Sequence, residues 1–207
     1  MLPQSLVPHH VWLACGWLKS VETAINVDYR GDWLRGALEV TRPKAIVIHA
    51  RYLPQLAAVR DALPAGALVI VAGPPGEPGV GGDTPGDLGA VPVAEFLAAA
   101  TVDQAVAADP ARLWDPASIV FTSGTTGASK GALLSWAQIE VHIFEEAPFD
   151  RPQDQVLYLP YGVNHLSGKG ALQRSGSPGR GNRRRDRRAG RAPISAAPAR
   201  RTAQDKT

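Results

Sequence analysis

Cysteine is almost absent from this sequence. Cys15 stands alone among 207 residues, so neither an intrachain disulfide framework nor a cysteine-built zinc cluster is available, which fits a reducing compartment and a buried structural thiol. Long apolar runs are also missing. The N-terminus has no basic leader region, and VWLACGWL (residues 11–18) is far shorter than the roughly 20 residues that cross a bilayer. A soluble, cytoplasmic protein without a membrane span is expected. His49 and His142 have no second ligand-type residue at metal spacing, so both read as structural and no metal ligand is assigned.

Two nucleotide signatures are missing as well. A Walker A loop needs Gly and Lys adjacent, with a hydroxyl residue following. Gly168-Lys169 is adjacent but has the wrong spacing and no following Ser or Thr. Gly79 and Gly81 do not lie between a strand and a helix, so they make no dinucleotide fingerprint.

Charge is divided unevenly. The formal charge is +3 with 44% hydrophobic residues, enough for a buried core, but residues 1–172 carry 11 basic and 17 acidic side chains, a net of −6. Residues 173–207 carry 11 basic and 2 acidic, a net of +9. That tail is rich in Arg, Gly and Ala, has no aromatic residue, and has Ile194 as its one large apolar side chain. It cannot build a core and is expected to be disordered.

Before the tail, the pattern is that of an α/β protein. Val11, Leu13, Ala14, Trp17 and Leu18 recur at helical spacing, and a short extended piece separates them from a second amphipathic run, 33–40, with Asp32 as its N-cap. AIVIHA (45–50) is a β-branched run, as in a strand buried on both faces. A helix over 55–62 and a second strand, ALVIVAG (67–73), complete a βαβ unit. The Gly/Pro-dense stretch that follows reads as a loop, and VAEFLAAA as a helix. ASIVF (117–121) is a strand leading directly into FTSGTTGASKG (121–131), with a helix from about 135 to 146 and another strand at 154–160. The five tryptophans fall mostly in amphipathic segments, so packing is their expected role.

FTSGTTGASKG carries the chemistry. Phosphate oxygens need several converging donors: Thr122, Ser123, Thr125, Thr126 and Ser129 supply hydroxyls, and Gly124, Gly127 and Gly131 let backbone N–H groups approach. Lys130 adds a point charge suited to a β- or γ-phosphate or to pyrophosphate.

These residues closely resemble the phosphate-binding loop of the adenylate-forming (AMP-dependent synthetase/ligase) superfamily. The segment 12–38, with Asn26, Tyr29, Gly31 and Asp32, resembles its acyl-CoA synthetase branch, and Pro160 with His165-x-x-Gly168 resembles the element lining the acyl pocket. Gly162 to Asn164 intervene where the family has one or two residues.

The resemblance covers roughly residues 8–172 and implies part of the large N-terminal α/β domain of such an enzyme, with parallel-rich sheets and flanking helices. It implies a two-step reaction. A carboxylate oxygen attacks the α-phosphorus of ATP, pyrophosphate leaves, and a thiol, usually coenzyme A, then displaces AMP from the acyl carbon. Thr122, Ser123, Gly124, Thr125, Thr126, Gly127 and Lys130 would hold the phosphates, with Mg²⁺ on the nucleotide and Lys130 neutralising charge. His165 would contact the acyl group or gate its pocket. The partners implied are a carboxylic acid and ATP, with no specific nucleic acid; oligomeric state is not legible.

The family's adenine, ribose and C-terminal lysine motifs are not found downstream, so residues 1–172 read as a partial domain, inactive alone. The tail has the composition of GC-rich coding sequence translated out of frame. The rival reading is a non-catalytic nucleotide-binding or polyanion-binding protein whose arginine-rich arm contacts phosphates.

Overall fold

The computed structural model describes residues 1–74, 80, 87–101, 109, 111–122, 130–145, 161–162 and 164–169. The expected strand at 154–160 and the tail 173–207 lie outside them.

The chain begins with α1 (Val7–Trp17), which carries Pro8 in its first turn, where a missing N–H costs nothing. Then come β1 (Glu22–Thr23), α2 (Gly31–Thr41) and β2 (Ala45–His49). A 3₁₀ turn (Ala50–Tyr52) leads into α3 (Leu53–Ala57) and a second 3₁₀ turn (Arg60–Ala62), followed by β3 (Leu68–Ala72). β4 (Val91–Pro92) runs directly into α4 (Val93–Ala99), and β5 (Pro116–Thr122), β6 (Lys130–Ser135) and α5 (Trp136–Glu145) follow.

The strands form two three-stranded sheets, in the orders β2-β3-β4 and β1-β5-β6. The first is wholly parallel, with β2 and β3 in register from Ala45↔Leu68 to His49↔Ala72. It is the expected βαβ unit. In the second sheet β1 and β5 are parallel, and β5 and β6 antiparallel.

Several sequence expectations shift. The helix foreseen over 55–62 stops at Ala57 and resumes only as a 3₁₀ turn, because Val59 leaves the helical region at φ −126, ψ 28. Asp32 lies in the first turn of α2 rather than capping it; Arg30 holds the cap position with extended backbone. Asp32 still faces the positive end of the helix dipole. β2 is not buried on both faces, since Ile46 and Ile48 are buried while Ala45 is exposed. It is the outer strand, flanked by Met1, whose amino group donates to the Val47 carbonyl at 2.8 Å and whose carbonyl accepts from His49 N at 2.9 Å. Central β3 is the strand buried almost throughout.

The larger core joins α2, β2, α3 and β3 through Leu34, Leu38, Ile48, Leu53, Leu56 and Val71, all fully buried. Arg35 and Asp61 tie α2 to the second 3₁₀ turn by a two-pronged pair at 2.7 and 2.8 Å, which holds the Asp61 carboxyl below its ordinary range. The second core is small: Trp12, Ala117 and Ile139 are buried, with Leu134, Trp136 and Leu166 against them. Trp12 and Trp136 stack with centroids 5.5 Å apart. Trp17, Trp33 and Trp114 are more than half exposed, so the expected packing role holds for two of the five tryptophans. On α1 the buried residues are Pro8, His9 and Trp12 rather than the foreseen stripe, and Leu13 is half exposed.

Candidate functional site

Strand β5 ends at Thr122, the start of the hydroxyl-rich stretch. The sequence suggested a strand, a glycine loop and then a helix, but residues 130–135 form β6, so the loop is a hairpin connection. Thr122 and Lys130 are cross-strand partners at its mouth, and the Thr122 hydroxyl donates to the Lys130 carbonyl at 3.4 Å. Both are exposed. Ser123, Gly124, Thr125, Thr126 and Gly127 belong to the connection and lie outside the described residues, as does Ser129.

A hairpin suits this sequence. Antiparallel strands can be joined by a short connection, and Leu133 and Leu134 extend the apolar β6 pattern up to Ser135. There the Ser135 hydroxyl accepts from Gln138 N at 3.3 Å and starts α5.

Gly131 has a different reason from the one foreseen. Its place is set by packing, because an added Cβ would stand 2.9 Å from Ile119 Cγ2 and 3.6 Å from Phe121 Cε1. Phe121 in turn meets the Tyr29 ring edge-on at 6.3 Å, and Tyr29 lies 5.9 Å from Trp33. The Asn26–Asp32 segment therefore backs the base of the hairpin. This links two of the sequence regions that carried the family resemblance.

His165 lies in a separate turn. Its ring stacks on Tyr161 at 4.9 Å and its Nδ1 accepts from Ser167 N at 3.2 Å. The turn doubles back on itself: His165 N donates to the Gly162 carbonyl, and Gly168 N to the His165 carbonyl, both at 3.0 Å. An added Cβ at Gly168 would collide with the Gly162 carbonyl oxygen. Only glycine fits there, and the residues between Pro160 and His165 include the backbone it packs against.

A contact that the sequence did not announce connects this turn to β5. Lys169, 1% exposed, places Nζ 2.7 Å from Glu22 Oε2, and the same oxygen accepts from the Ser118 hydroxyl at 2.7 Å. Nζ also lies 5.1 Å from the Trp12 ring centroid, within cation–π range. Glu22 and Ser118 face each other in the β1/β5 register. The partners stand 96 and 147 residues apart in sequence, so no local pattern reveals them. Cys15 lies within the field of this pair; burial pushes its thiol up, the Glu22 charge adds to that, and Lys169 opposes it. Cys15 is only partly buried, short of the full burial the sequence suggested, and the upward shift disfavours the reactive thiolate.

Thr122 and Lys130 are thus brought together. The His165 turn reaches the same strand through Lys169, Glu22 and Ser118, and Ser118 lies four positions along β5 from Thr122, or about 13 Å at strand rise. Among the described residues no His, Cys, Asp or Glu group is arranged to hold a metal ion, and no helix is long and apolar enough to cross a membrane.

The sequence matches the profile of the AMP-binding enzyme family over residues 1–165. The chain belongs to that family. Its fold agrees with solved adenylate-forming enzymes. The luciferase-like enzyme from the nonluminescent Zophobas morio mealworm superposes with a TM-score of 0.58 at 17% identity, over 84% of this chain and 38% of its own. A red-emitting luciferase from Phrixothrix hirtus does so with a TM-score of 0.50 at 22% identity, over 64% of this chain and 31% of its own. No curated protein matches in sequence. The chain therefore spans well under half the length of either structural relative. The described α/β architecture is that of part of their large N-terminal domain.

Proposed function

We propose that this AMP-binding chain supplies the nucleotide-phosphate side of an ATP-dependent carboxylic acid–CoA ligase. The observation that carries the reading is the hairpin mouth, where the Thr122 hydroxyl and the Lys130 ammonium flank a connection rich in Ser, Thr and Gly. Adenylyl transfer needs little covalent help from a protein; it needs the phosphates held in line and their charge offset. Thr122, Ser123, Thr125 and Thr126 would donate hydroxyls, Gly124 and Gly127 backbone N–H groups, and Lys130 a mobile charge that follows the departing pyrophosphate. Mg²⁺ would enter on the phosphate oxygens of the nucleotide and supply further charge neutralisation.

In the same reading His165, braced by Tyr161, forms the wall on the acyl side. A carboxylic acid is the second substrate, and coenzyme A accepts the acyl group in the cytoplasm. Residues 1–172 constitute the family domain and 173–207 a tail outside it. The chain alone binds nucleotide without turning over, since none of its residues is assigned to the adenine, the ribose or the thiol step.

Competition binding tests this. Mg-ATP and pyrophosphate should displace each other from one site, whereas AMP, which lacks the β- and γ-phosphates, should compete at least about tenfold more weakly, roughly 1.4 kcal/mol. Equal competition by AMP would sink the phosphate assignment. Incorporation of labelled pyrophosphate into ATP in the presence of fatty or aryl acids should be absent from the chain alone; its appearance would overturn the binding-only reading.

A further inference from the structure

A lysine as thoroughly enclosed as Lys169 calls for an explanation beyond stability. Its charge is 1% exposed and paired to a carboxylate that Ser118 also holds. Apolar side chains of equal volume would fill that space at no loss, because a buried ion pair repays little more than its own desolvation. What apolar contacts cannot supply is direction. Two donors, Ser118 Oγ and Lys169 Nζ, converge on one oxygen, Glu22 Oε2, so the Lys169 end of the turn must sit where that shared oxygen lies.

That placement is transmitted to His165. Lys169 N donates to the His165 carbonyl at 3.3 Å, Gly168 N to the same carbonyl at 3.0 Å, and Gly168 abuts Gly162 so closely that no Cβ fits between them. His165 stacks on Tyr161 within the same turn. The turn is a compact unit whose position is set at its Lys169 end. Glu22 and Ser118 occupy paired positions of β1 and β5, and β5 ends at Thr122, the first residue of the hairpin mouth.

We propose that Lys169 is a positioning residue: through Glu22 and Ser118 it locks the His165 turn to strand β5, so that this turn and the phosphate hairpin are held in one fixed relation. The functional importance of that relation rests on the reading of the hairpin and His165 as two sides of one site. The lock itself does not.

Hydrogen exchange on the full chain tests the lock without any ligand. The amides of Gly168 and Lys169 should exchange with the same urea dependence as those of β5, because the two open together. In a Lys169→Met/Glu22→Gln double variant, which leaves no lone buried charge, the turn amides should exchange at least about tenfold faster while those of β2 and β3 keep their wild-type rates. Lys169→Arg, which keeps the cation, should retain most of the turn's protection. Wild-type rates in the double variant would overturn the proposal, and so would an equal acceleration of every amide, which marks a merely structural pair.

A second arm follows the His165 ring resonance during titration with Mg-ATP. It should shift in the wild type and stay still in the double variant at unchanged ATP affinity. A resonance that shifts equally in both contradicts the lock. Absence of ATP binding to the wild type defeats the proposed function, and the exchange experiment then decides the lock alone.

Discussion

The two sheets of this molecule are held by different forces. Around β2 and β3, eleven of the described hydrophobic residues are buried in one contiguous cluster, most of them from neighbouring stretches of sequence. Around β5, three buried hydrophobic residues share the interior with a charged pair and a serine contributed from opposite ends of the described chain. The first region is a scaffold in which hydrophobic burial dominates. The second gives up apolar contact for direction, and it carries the hairpin and the His165 turn. Precision of placement is thus concentrated where the proposed chemistry needs it.

The contrast can be broken from either side. Lys169→Ala should be the most damaging single change, by about 3–5 kcal/mol, because it strands the buried Glu22 carboxylate; urea denaturation would measure it. Leu38→Ala in the aliphatic cluster should cost about 2–5 kcal/mol and leave the hydrogen exchange of the 164–169 turn ranked above that of β2. A change in the opposite order would mean that the two regions do not stabilise separately.

The amino terminus adds a pH dependence to the first region. Burial lowers the Met1 amino group from 8.0 to about 5, and the Glu22 charge works against that shift. A base with a depressed folded pKa gives up a proton on folding between those values, so stability should rise as pH increases from about 5 to 8 and level off beyond. The slope is bounded by about 1.4 kcal/mol per pH unit for one proton. N-terminal acetylation should abolish this component, and denaturation midpoints of the two forms across the range would show it. Parallel curves would contradict it.

Gly131→Ala should cost about 1–3 kcal/mol as Ile119 and Phe121 yield to the new methyl group, detectable as a lowered melting temperature. The smallest effect should come from Arg35→Ala. Its pair with Asp61 is solvent-exposed, so the loss should be near the limit of measurement and vanish at high salt.

The same contrast explains what the sequence disclosed. AIVIHA and ALVIVAG stand close together and announce themselves by β-branched runs, and the βαβ unit follows from that spacing. FTSGTTGASKG suggests phosphate chemistry because hydroxyl, glycine and lysine cluster within one connection. Its hairpin form was not legible, since ALLS after Gly131 is too short a run to separate from the start of a helix. Two-residue β1 and β4 leave no periodicity to detect. The Glu22–Ser118–Lys169 group was hidden for a stronger reason. A lone Glu in an extended segment, a Ser in a strand and a Lys after a glycine each look solvated, and only the sheet register brings them together. Gly168 and Gly131 likewise drew attention as backbone donors or spacers, whereas close side-chain and backbone approach accounts for both.

The β5–β6 hairpin is the proposed seat of nucleotide phosphates, held through Lys130 and its neighbours. Calorimetric titration of Mg-ATP into the wild-type chain and into Lys130→Ala tests it most directly. The wild type should bind saturably at one site, and the variant about ten- to a hundredfold more weakly, as expected for a lost charge-assisted contact worth about 1.5–3 kcal/mol, with an unchanged melting temperature. Equal affinity in both chains, or no saturable binding to the wild type, would contradict it.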